Sequence, residues 1–344
     1  MADNVLWLEQ EYGRVSVEQL DDGRRHIRVF PYHDDLFVHE YEWTTAYPLD
    51  LIKLILEING VAGLCFEIMR DEDSNFVQKY LFNDLSAYFD LESFRGKRIL
   101  DFGCGTGASS VILARLIPES TIVGVELSES AIKVGNARLQ YYGFQNRVTF
   151  INSPSEGELP FDLGSFDLVV MSAVYEHLLP AERTILMPQL WDLVSDGGYL
   201  FLNQTPDIRF PFELHTTMLP LINYLPDRLV LATARRLTKR VSTDDTWESL
   251  LRKGIRGATE HEIKRKLSPN GGSPVLLEPS RNGLRDRIDL YYLNTNPVRL
   301  RTVKGLAKGV LKVVRALTRV CLVPDLSLVF HRCEEKKEHM PPSV

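Results

Sequence analysis

The chain has 344 residues, which allows one large domain or two small ones. Its 44% hydrophobic and 25% charged content is ordinary for a soluble globular protein, and no uncharged run approaches a transmembrane length. The four cysteines have neither metal nor disulfide spacing, and the N-terminus lacks the basic and apolar blocks of a signal peptide. We therefore expect a cytoplasmic protein, with no structural disulfides.

The formal net charge of −6 conceals an asymmetry between the two parts of the chain. Residues 201–344 carry 25 Lys and Arg against 15 Asp and Glu, whereas residues 1–200 carry 15 against 31. Such an imbalance indicates that the C-terminal part faces something anionic while the N-terminal part is solvated.

The first part of the chain is predicted to hold a small β-rich prefix and two helices. Residues 5–38 form the prefix, and within it residues 25–30 alternate polar with apolar side chains, as a half-buried strand does. Apolar positions at a spacing of 3.6 residues predict helices at 48–56 and 76–89.

The middle of the chain alternates strands with helices. Strands are predicted at 98–102, 121–126, 147–151, 166–171 and 199–204, and a helix at 108–116 follows the first of them. This order predicts an α/β fold with a parallel sheet and right-handed crossovers.

A glycine-rich loop joins the strand at 98–102 to the helix at 108–116. It reads Asp-Phe-Gly-Cys-Gly-Thr-Gly from Asp101 to Gly107. A dinucleotide fingerprint spaces its glycines G-x-G-x-x-G, so this G-x-G-x-G loop disfavours an NAD-dependent oxidoreductase. An acid at the strand end suits a cationic ligand, which favours a sulfonium compound with a free amino group.

Glu126 stands at the end of the strand 121–126, one βα unit after the loop. In a Rossmann-like sheet, an acid at this position reaches the ribose hydroxyls of a nucleoside above the glycine loop. The alternative is a solvated loop acid, and the position after this particular loop favours the ribose interpretation.

These residues, with others downstream, resemble the class I S-adenosylmethionine-dependent methyltransferases of the small-molecule branch. The further motifs, in family order, are Leu159-Pro160-Phe161, residues 165–170, Tyr175-Glu176-His177-Leu178 and Asp196-Gly197-Gly198. The resemblance covers about residues 94–206. It implies a Rossmann-like, mostly parallel seven-stranded sheet with helices on both faces, S-adenosylmethionine as cofactor, and N-terminal helices that roof that cofactor.

The resemblance also implies a role for each residue around the cofactor. Asp101 would bind the amino group of the methionine moiety, and Glu126 the ribose hydroxyls. The loop glycines Gly103, Gly105 and Gly107 would lie under the ribose and the carboxypropyl chain, and Leu127 would pack on adenine. The family places an acid before its Leu-Pro-Phe element to recognise adenine, whereas Ser155 stands there in this chain, with Glu156 beside it. Both are candidates for the adenine contact.

Methyl transfer needs alignment of donor and acceptor, and a base where the acceptor is a hydroxyl. Glu176 and His177 follow the fourth strand of the core, at an edge where such sheets bind ligands. The alternative for His177 is a structural turn residue. In the insertion after the fifth strand, Glu213 is predicted to orient His215, and His215 is the candidate base. The alternative for His215 is a hydrogen-bonded core histidine.

The C-terminal part contains a helix, two strands and a tail. A capping-box pattern at 259–262 begins a helix that runs to about 267, a turn follows at 270–272, and strands are predicted at 274–278 and 325–331. We expect four regions: an N-terminal extension (1–93), the cofactor-binding core (94–206), the substrate-side insertion with the last strands (207–332), and a disordered tail (333–344).

Residues 298–324 contain seven Lys and Arg and no acid. From Lys304 onwards the cations recur on one helical face, and Val and Leu occupy the other. Such a helix is typical of a peripheral contact with an anionic membrane, here at the inner face. An ordinary surface helix is the alternative, and no nucleic-acid partner is expected because no binding module is recognisable.

The sequence as a whole predicts methyl transfer from S-adenosylmethionine to a small-molecule, sugar or lipid-linked acceptor, with O-methylation favoured. A non-catalytic protein of the same fold that binds S-adenosylmethionine or S-adenosylhomocysteine is the alternative. His33, Asp34, Asp35 and His39 have no metal-site spacing, and no metal is expected.

Overall fold

A computed structural model describes residues 5–33, 36–268, 274–295 and 301–333. The predicted turn at 270–272, Asp34 and Asp35, the start of the basic segment at 298–300, and the tail from 334 onwards lie outside the described residues.

The strands of the described residues are β1 Val5–Gln10, β2 Gly13–Gln19, β3 Arg25–Pro31, β4 Glu42–Thr45, β5 Arg98–Phe102, β6 Thr121–Glu126, β7 Val148–Asn152, β8 Phe166–Ser172, β9 Val194–Pro206, β10 Val275–Leu277 and β11 Asp325–His331. The helices are α1 Leu49–Glu72, α2 Val77–Tyr88, α3 Ala108–Leu116, α4 Glu129–Tyr142, α5 Pro180–Asp192, α6 Asp227–Leu237, α7 Trp247–Arg252, α8 Glu260–Leu267, α9 Arg287–Asn294 and α10 Arg301–Thr318.

The large sheet has seven strands in the order β10-β11-β9-β8-β5-β6-β7. The pairs β5–β8, β8–β9 and β6–β7 are parallel, whereas β11 pairs antiparallel with both β9 and β10. The prediction of a mostly parallel seven-stranded α/β sheet is therefore confirmed. Both antiparallel pairs involve β11, which like β10 follows the insertion after β9.

The chain divides into two compact units, the first comprising residues 1–82 and 104–152, the second residues 83–103 and 153–344. The first unit contains an antiparallel sheet in the order β1-β2-β3-β4. In β3, Ile27 and Val29 are buried whereas Arg28 and Phe30 are exposed, as the alternation predicted. The four regions predicted from the sequence stay a prediction.

Helix α1 is longer than the sequence predicted. The expected end at residue 56 precedes Gly60, which has a φ of 66°, outside the helical region. The helix is kinked there and continues to Glu72, because Val61, Leu64 and Ile68 bury the next turns in the core of the first unit. Tertiary packing thus overrides the local cost of a glycine in a helix.

In the second unit, the insertion after β9 has a small core of its own. Ile222, Val230, Leu250 and Ile255 are buried together between α6, α7 and the flanking turns. The capping box predicted at α8 is present in part, since the Thr259 hydroxyl accepts the backbone N–H of Glu262 at 3.1 Å. This core gives the predicted substrate-side insertion a defined structure.

A buried guanidinium joins three segments of the first unit. Arg138 of α4 has no solvent exposure. It donates to Oε1 of Glu67 at 2.9 Å and lies 3.4 Å from Oδ1 of Asp71, both on α1. It also donates to the carbonyl oxygen and the hydroxyl of Thr106, at 2.8 and 2.7 Å. Thr106 belongs to the glycine loop, so Arg138 holds that loop against α1 and α4.

Replacing Arg138 with Met removes the buried cation, and among the described residues Arg70 and Arg115 remain as cations near the two carboxylates, at 4.0 Å from Glu67 and 3.6 Å from Asp71. We expect the free energy of unfolding to fall by about 3–5 kcal/mol, the usual cost of breaking a buried ion pair. Lys133→Met, an exposed change on the same helix, should have an effect within about 0.5 kcal/mol. Urea unfolding followed by circular dichroism measures both, and equal stability of the two variants would contradict the role of the network.

Candidate functional site

The glycine loop runs from the end of β5 to the start of α3. Asp101 is buried in β5, and the chain passes from the second unit to the first between Gly103 and Cys104. Gly103, Gly105 and Gly107 all have positive φ, at 71°, 54° and 80°. Residues other than glycine rarely adopt such φ values, so all three positions favour glycine.

The three glycines differ in what surrounds them. An added Cβ on Gly103 would lie 2.7 Å from the Val174 side chain, and one on Gly107 would lie 2.6 Å from Phe150. Beyond its chain neighbours, no described atom lies within 4 Å of the position of a Cβ on Gly105. Gly103 and Gly107 are therefore required by protein packing, whereas Gly105 presents its backbone to open space.

Glu126 stands at the end of β6, as predicted, and its carboxylate contacts the glycine loop. Oε2 accepts the N–H of Gly105 at 2.9 Å, and Oε1 accepts the N–H groups of Leu127 and Ser128 at 2.9 and 3.0 Å. Oε2 has a further lone pair, so the carboxylate can still accept a hydrogen bond from a ligand hydroxyl. The side chain of the adjacent Leu127 is 45% exposed.

The two candidates for adenine recognition differ in their surroundings. Ser155 is exposed in a turn, where it forms an isolated antiparallel bridge with Glu158. The carboxylate of Glu156 accepts a hydrogen bond at 2.8 Å from Arg252, which also pairs with Glu182. The contacts in the structure thus give Glu156 a partner within the protein, and the choice between the two candidates stays open.

Glu176, His177 and His215 lie together in the second unit. One ligand atom of each lies within 4.8 Å of those of the other two, and the two imidazole rings are 5.5 Å apart. Glu176 and His177 form a short 3₁₀ turn after β8, and the backbone of this turn is held by the buried Arg183, which donates to the carbonyl oxygens of Glu176 and Leu178. The sequence did not predict that the two histidines would meet, although it singled out both.

Burial shifts the pKa values of all three groups. It raises the pKa of the Glu176 carboxyl to about 7, although a hydrogen bond from the Thr205 hydroxyl opposes that change. It lowers the pKa of His177 and of His215, and the neighbouring His177 lowers that of His215 further. Both imidazoles are therefore neutral near pH 7, the form that can accept a proton or bind a metal ion.

Glu213 makes contacts that the sequence did not predict. Its carboxylate accepts the backbone N–H groups of His215 and Thr216, at 2.8 and 2.7 Å, together with the hydroxyl of Thr217 at 2.6 Å. These bonds shape the turn that carries His215. Glu213 forms these hydrogen bonds with the backbone and the hydroxyl of the turn, and orientation of the His215 ring by Glu213 stays a prediction.

The sequence did not predict that the turn at the end of α7 would contact both histidine-bearing segments. The carbonyl oxygen of Arg252 lies 2.7 Å from Nδ1 of His177, and that of Lys253 accepts the Thr216 hydroxyl. Gly254 has a φ of 88°, and a Cβ there would lie 2.7 Å from the His215 ring and 3.1 Å from Glu176. Only glycine fits at this position.

The comparisons with known proteins point to one family. Residues 99–198 match a family model described as a methyltransferase domain. A demethylmenaquinone methyltransferase of Clavibacter sepedonicus is 29% identical over 167 residues, which are 48% of this chain and 61% of the relative. An arsenite methyltransferase of Aquipseudomonas alcaligenes is 32% identical over 127 residues, 35% of this chain and 36% of the relative. The chain thus spans less than two thirds of the length of these relatives.

Solved structures are similar at lower identity. The plantazolicin methyltransferase BpumL, in complex with a desmethyl analogue and S-adenosylhomocysteine, is 13% identical, with a TM-score of 0.43 over 83% of this chain and 97% of that one. The strand order of the seven-stranded sheet identifies the α/β fold.

Alanine at Gly105 and at Gly107 should have different effects. Gly107→Ala forces a Cβ against Phe150 and should unfold the protein more readily, whereas Gly105→Ala meets no side chain and carries only the strain of its positive φ, about 1–2 kcal/mol. We expect Gly105→Ala to stay folded and to lose affinity for S-adenosylhomocysteine, because its methyl group occupies the open side of the loop. Thermal unfolding and calorimetry measure the two effects. Undiminished affinity in folded Gly105→Ala would show that the loop does not face this ligand.

Proposed function

We propose that residues 99–198, which match a family model of a methyltransferase domain, use S-adenosylmethionine as cofactor, and that the protein transfers its methyl group to an oxygen atom of a small-molecule, sugar or lipid-linked acceptor. The relatives named above carry different acceptors in their names, so the acceptor side is argued from this chain's own residues. Asp101, the three loop glycines, Glu126 and Leu127 are proposed to bind the cofactor, with Ser155 or Glu156 at adenine.

The grouping of His215 with Glu176 and His177 is the observation that carries the acceptor side of the proposal. Val174, two residues before Glu176, packs where a Cβ of Gly103 would lie, so the turn at 175–177 is next to the glycine loop within the second unit. The thioether that leaves when a sulfonium gives up its methyl group is a good leaving group. The protein therefore has mainly to align an acceptor and to assist loss of the acceptor's proton. His215, neutral and partly exposed, is proposed to act on the acceptor oxygen as base or orienting group.

His215→Ala should lower the turnover of methyl transfer by about 10²–10⁴, the usual contribution of a general base, and leave the affinity for S-adenosylhomocysteine unchanged. The assay incubates methyl-labelled S-adenosylmethionine with a small-molecule and lipid extract of the source cells and follows label in products by mass spectrometry. His261→Ala, an exposed histidine on α8, is the matched control. Equal labelling of products by His215→Ala and by the control would show that His215 takes no part in the reaction. Cofactor binding without any labelled product would favour the non-catalytic alternative.

We also propose that α10 makes a peripheral contact with a membrane, which would bring the site to a lipid-linked acceptor. No helix among the described residues is long and apolar enough to cross a membrane. The apolar face of α10 is nevertheless exposed: Leu306 by 72% and Leu317 by 81%, with Val303, Val310 and Val313 beside them. An amphipathic helix with such a face binds by burying it at the headgroup boundary.

Three cations of α10, Lys308, Lys312 and Arg315, form ion pairs within the second unit. Lys312 and Arg315 donate to the carboxylate of Asp286 at 2.7 and 2.8 Å, and Lys308 lies 2.8 Å from Asp289. These ion pairs fasten the basic face of the helix to the start of α9. Membrane contact is therefore proposed to depend on the apolar face, with Arg301 and Arg319 as exposed cations at its ends.

Replacing Leu306 and Leu317 together with Ser should abolish sedimentation with lipid vesicles, because the two leucines supply the largest exposed apolar area of α10. Leu229→Ser with Leu237→Ser, two exposed leucines of α6, is the matched control and should sediment like the parent. Comparing vesicles with and without anionic lipid measures how much electrostatic attraction contributes to the binding. If the parent protein sediments with neither kind of vesicle, α10 is an ordinary surface helix and the membrane contact is wrong.

A further inference from the structure

We propose that Glu176, His177 and His215 bind a divalent transition-metal ion, of which Zn²⁺ is the reference case. Their ligand atoms lie within 4.8 Å of one another. Metal–ligand distances of about 2.0–2.2 Å mean that binding draws the three atoms together by roughly an ångström, which side-chain rotation supplies. No metal was expected from the sequence, in which the residues considered as a metal site were His33, Asp34, Asp35 and His39 and not these three.

Glu176 provides the first independent support. Its side chain has no solvent exposure, and Oε2 accepts the Thr205 hydroxyl at 3.0 Å. Oε1 is buried, has no hydrogen-bond partner among the residues that the structure describes, and lies 3.7 Å from Nε2 of His177. A buried carboxylate oxygen without a partner is costly, and a cation between it and the imidazoles would satisfy it.

His177 provides the second support, through the tautomer that its surroundings select. Nδ1 lies 2.7 Å from the carbonyl oxygen of Arg252. A carbonyl only accepts, so Nδ1 carries the proton and Nε2, which faces Glu176, has the lone pair. Metal-binding histidines commonly have this arrangement, with one ring N–H donated to a backbone carbonyl.

The walls of the cluster are built closely around it. Gly254 allows the chain to pass within reach of both His215 and Glu176, where a Cβ would collide with the ring. The turn that carries His215 is held by Glu213 through the N–H groups of His215 and Thr216. Both histidines are thus held by the same segment after α7, since Lys253 binds Thr216 and Arg252 binds His177.

The donor set indicates the class of ion. Two imidazoles and one carboxylate suit Zn²⁺, Fe²⁺, Mn²⁺ or Co²⁺, whereas Mg²⁺ and Ca²⁺ prefer all-oxygen sets. Three protein ligands leave at least one coordination position for water or for a substrate atom. If the proposed function holds, His215 would act as a metal ligand that orients the acceptor and not as its base. The acceptor hydroxyl would bind at that position, which would lower its pKa so that its proton passes to solvent water, and its oxygen would bond to the methyl carbon as the carbon–sulfur bond of the sulfonium breaks.

Cobalt titration of protein first treated with a chelator tests the site without any methyl acceptor. The parent protein should develop the visible absorption of protein-bound Co²⁺ with one equivalent, Zn²⁺ should displace it, and excess Mg²⁺ should not. His215→Ala and Glu176→Gln should both lose the band. His261→Ala and Glu248→Gln, exposed residues outside the cluster, should keep it.

Circular dichroism and calorimetry with S-adenosylhomocysteine are run on every variant, so that loss of the fold or of the cofactor site is distinguishable from loss of the metal. Absence of the Co²⁺ band in parent protein that still binds S-adenosylhomocysteine would overturn the metal site and leave the proposed function intact. A band that survives in folded His215→Ala would also overturn it. Methyl transfer that persists after chelation, with the band lost, would restrict the ion to a structural role and overturn its part in the reaction.

Discussion

Three positive φ angles in seven residues constrain the surroundings of the glycine loop. Because Gly103, Gly105 and Gly107 cannot hold this conformation through side chains of their own, neighbouring residues must hold it for them. In the first unit, Arg138 does so through Thr106, and it is compensated by two acids of α1. The kink at Gly60 allows α1 to continue as far as those acids. A helix far from the loop in sequence thus stabilises the loop through Arg138.

The glycine loop also contacts the segment that leads into the turn containing Glu176 and His177. Gly103 has no side chain, and Val174 occupies that space, which places the turn containing Glu176 and His177. One oxygen of the buried Glu176 carboxylate has no hydrogen-bond partner within the described part of the chain. Burial keeps the adjacent imidazoles neutral. Neutral nitrogen lone pairs beside a buried carboxylate are the chemical basis of both the proposed methyl transfer and the proposed metal site.

The sequence predicted the core well where the pattern is local. Helix α3, strand β6 and strand β11 have the predicted bounds, because strand periodicity and the glycine loop are short-range signals. The sequence could not predict that Arg138 would be buried, since its acids lie on a helix about 70 residues earlier. Nor could it predict that the cations of α10 pair with Asp286 and Asp289 while the leucines face outward. Periodicity defines the two faces of a helix but not which one faces the protein.

The central claim is that this chain uses S-adenosylmethionine, and ligand binding to the unmodified protein tests it most directly. Isothermal titration calorimetry with S-adenosylhomocysteine and with NAD, under one set of conditions, compares a sulfur-linked nucleoside with a dinucleotide. The G-x-G-x-G loop with Glu126 after β6 predicts saturable one-to-one binding of S-adenosylhomocysteine and no heat from NAD. Saturable binding of NAD, with none of S-adenosylhomocysteine, would contradict the account.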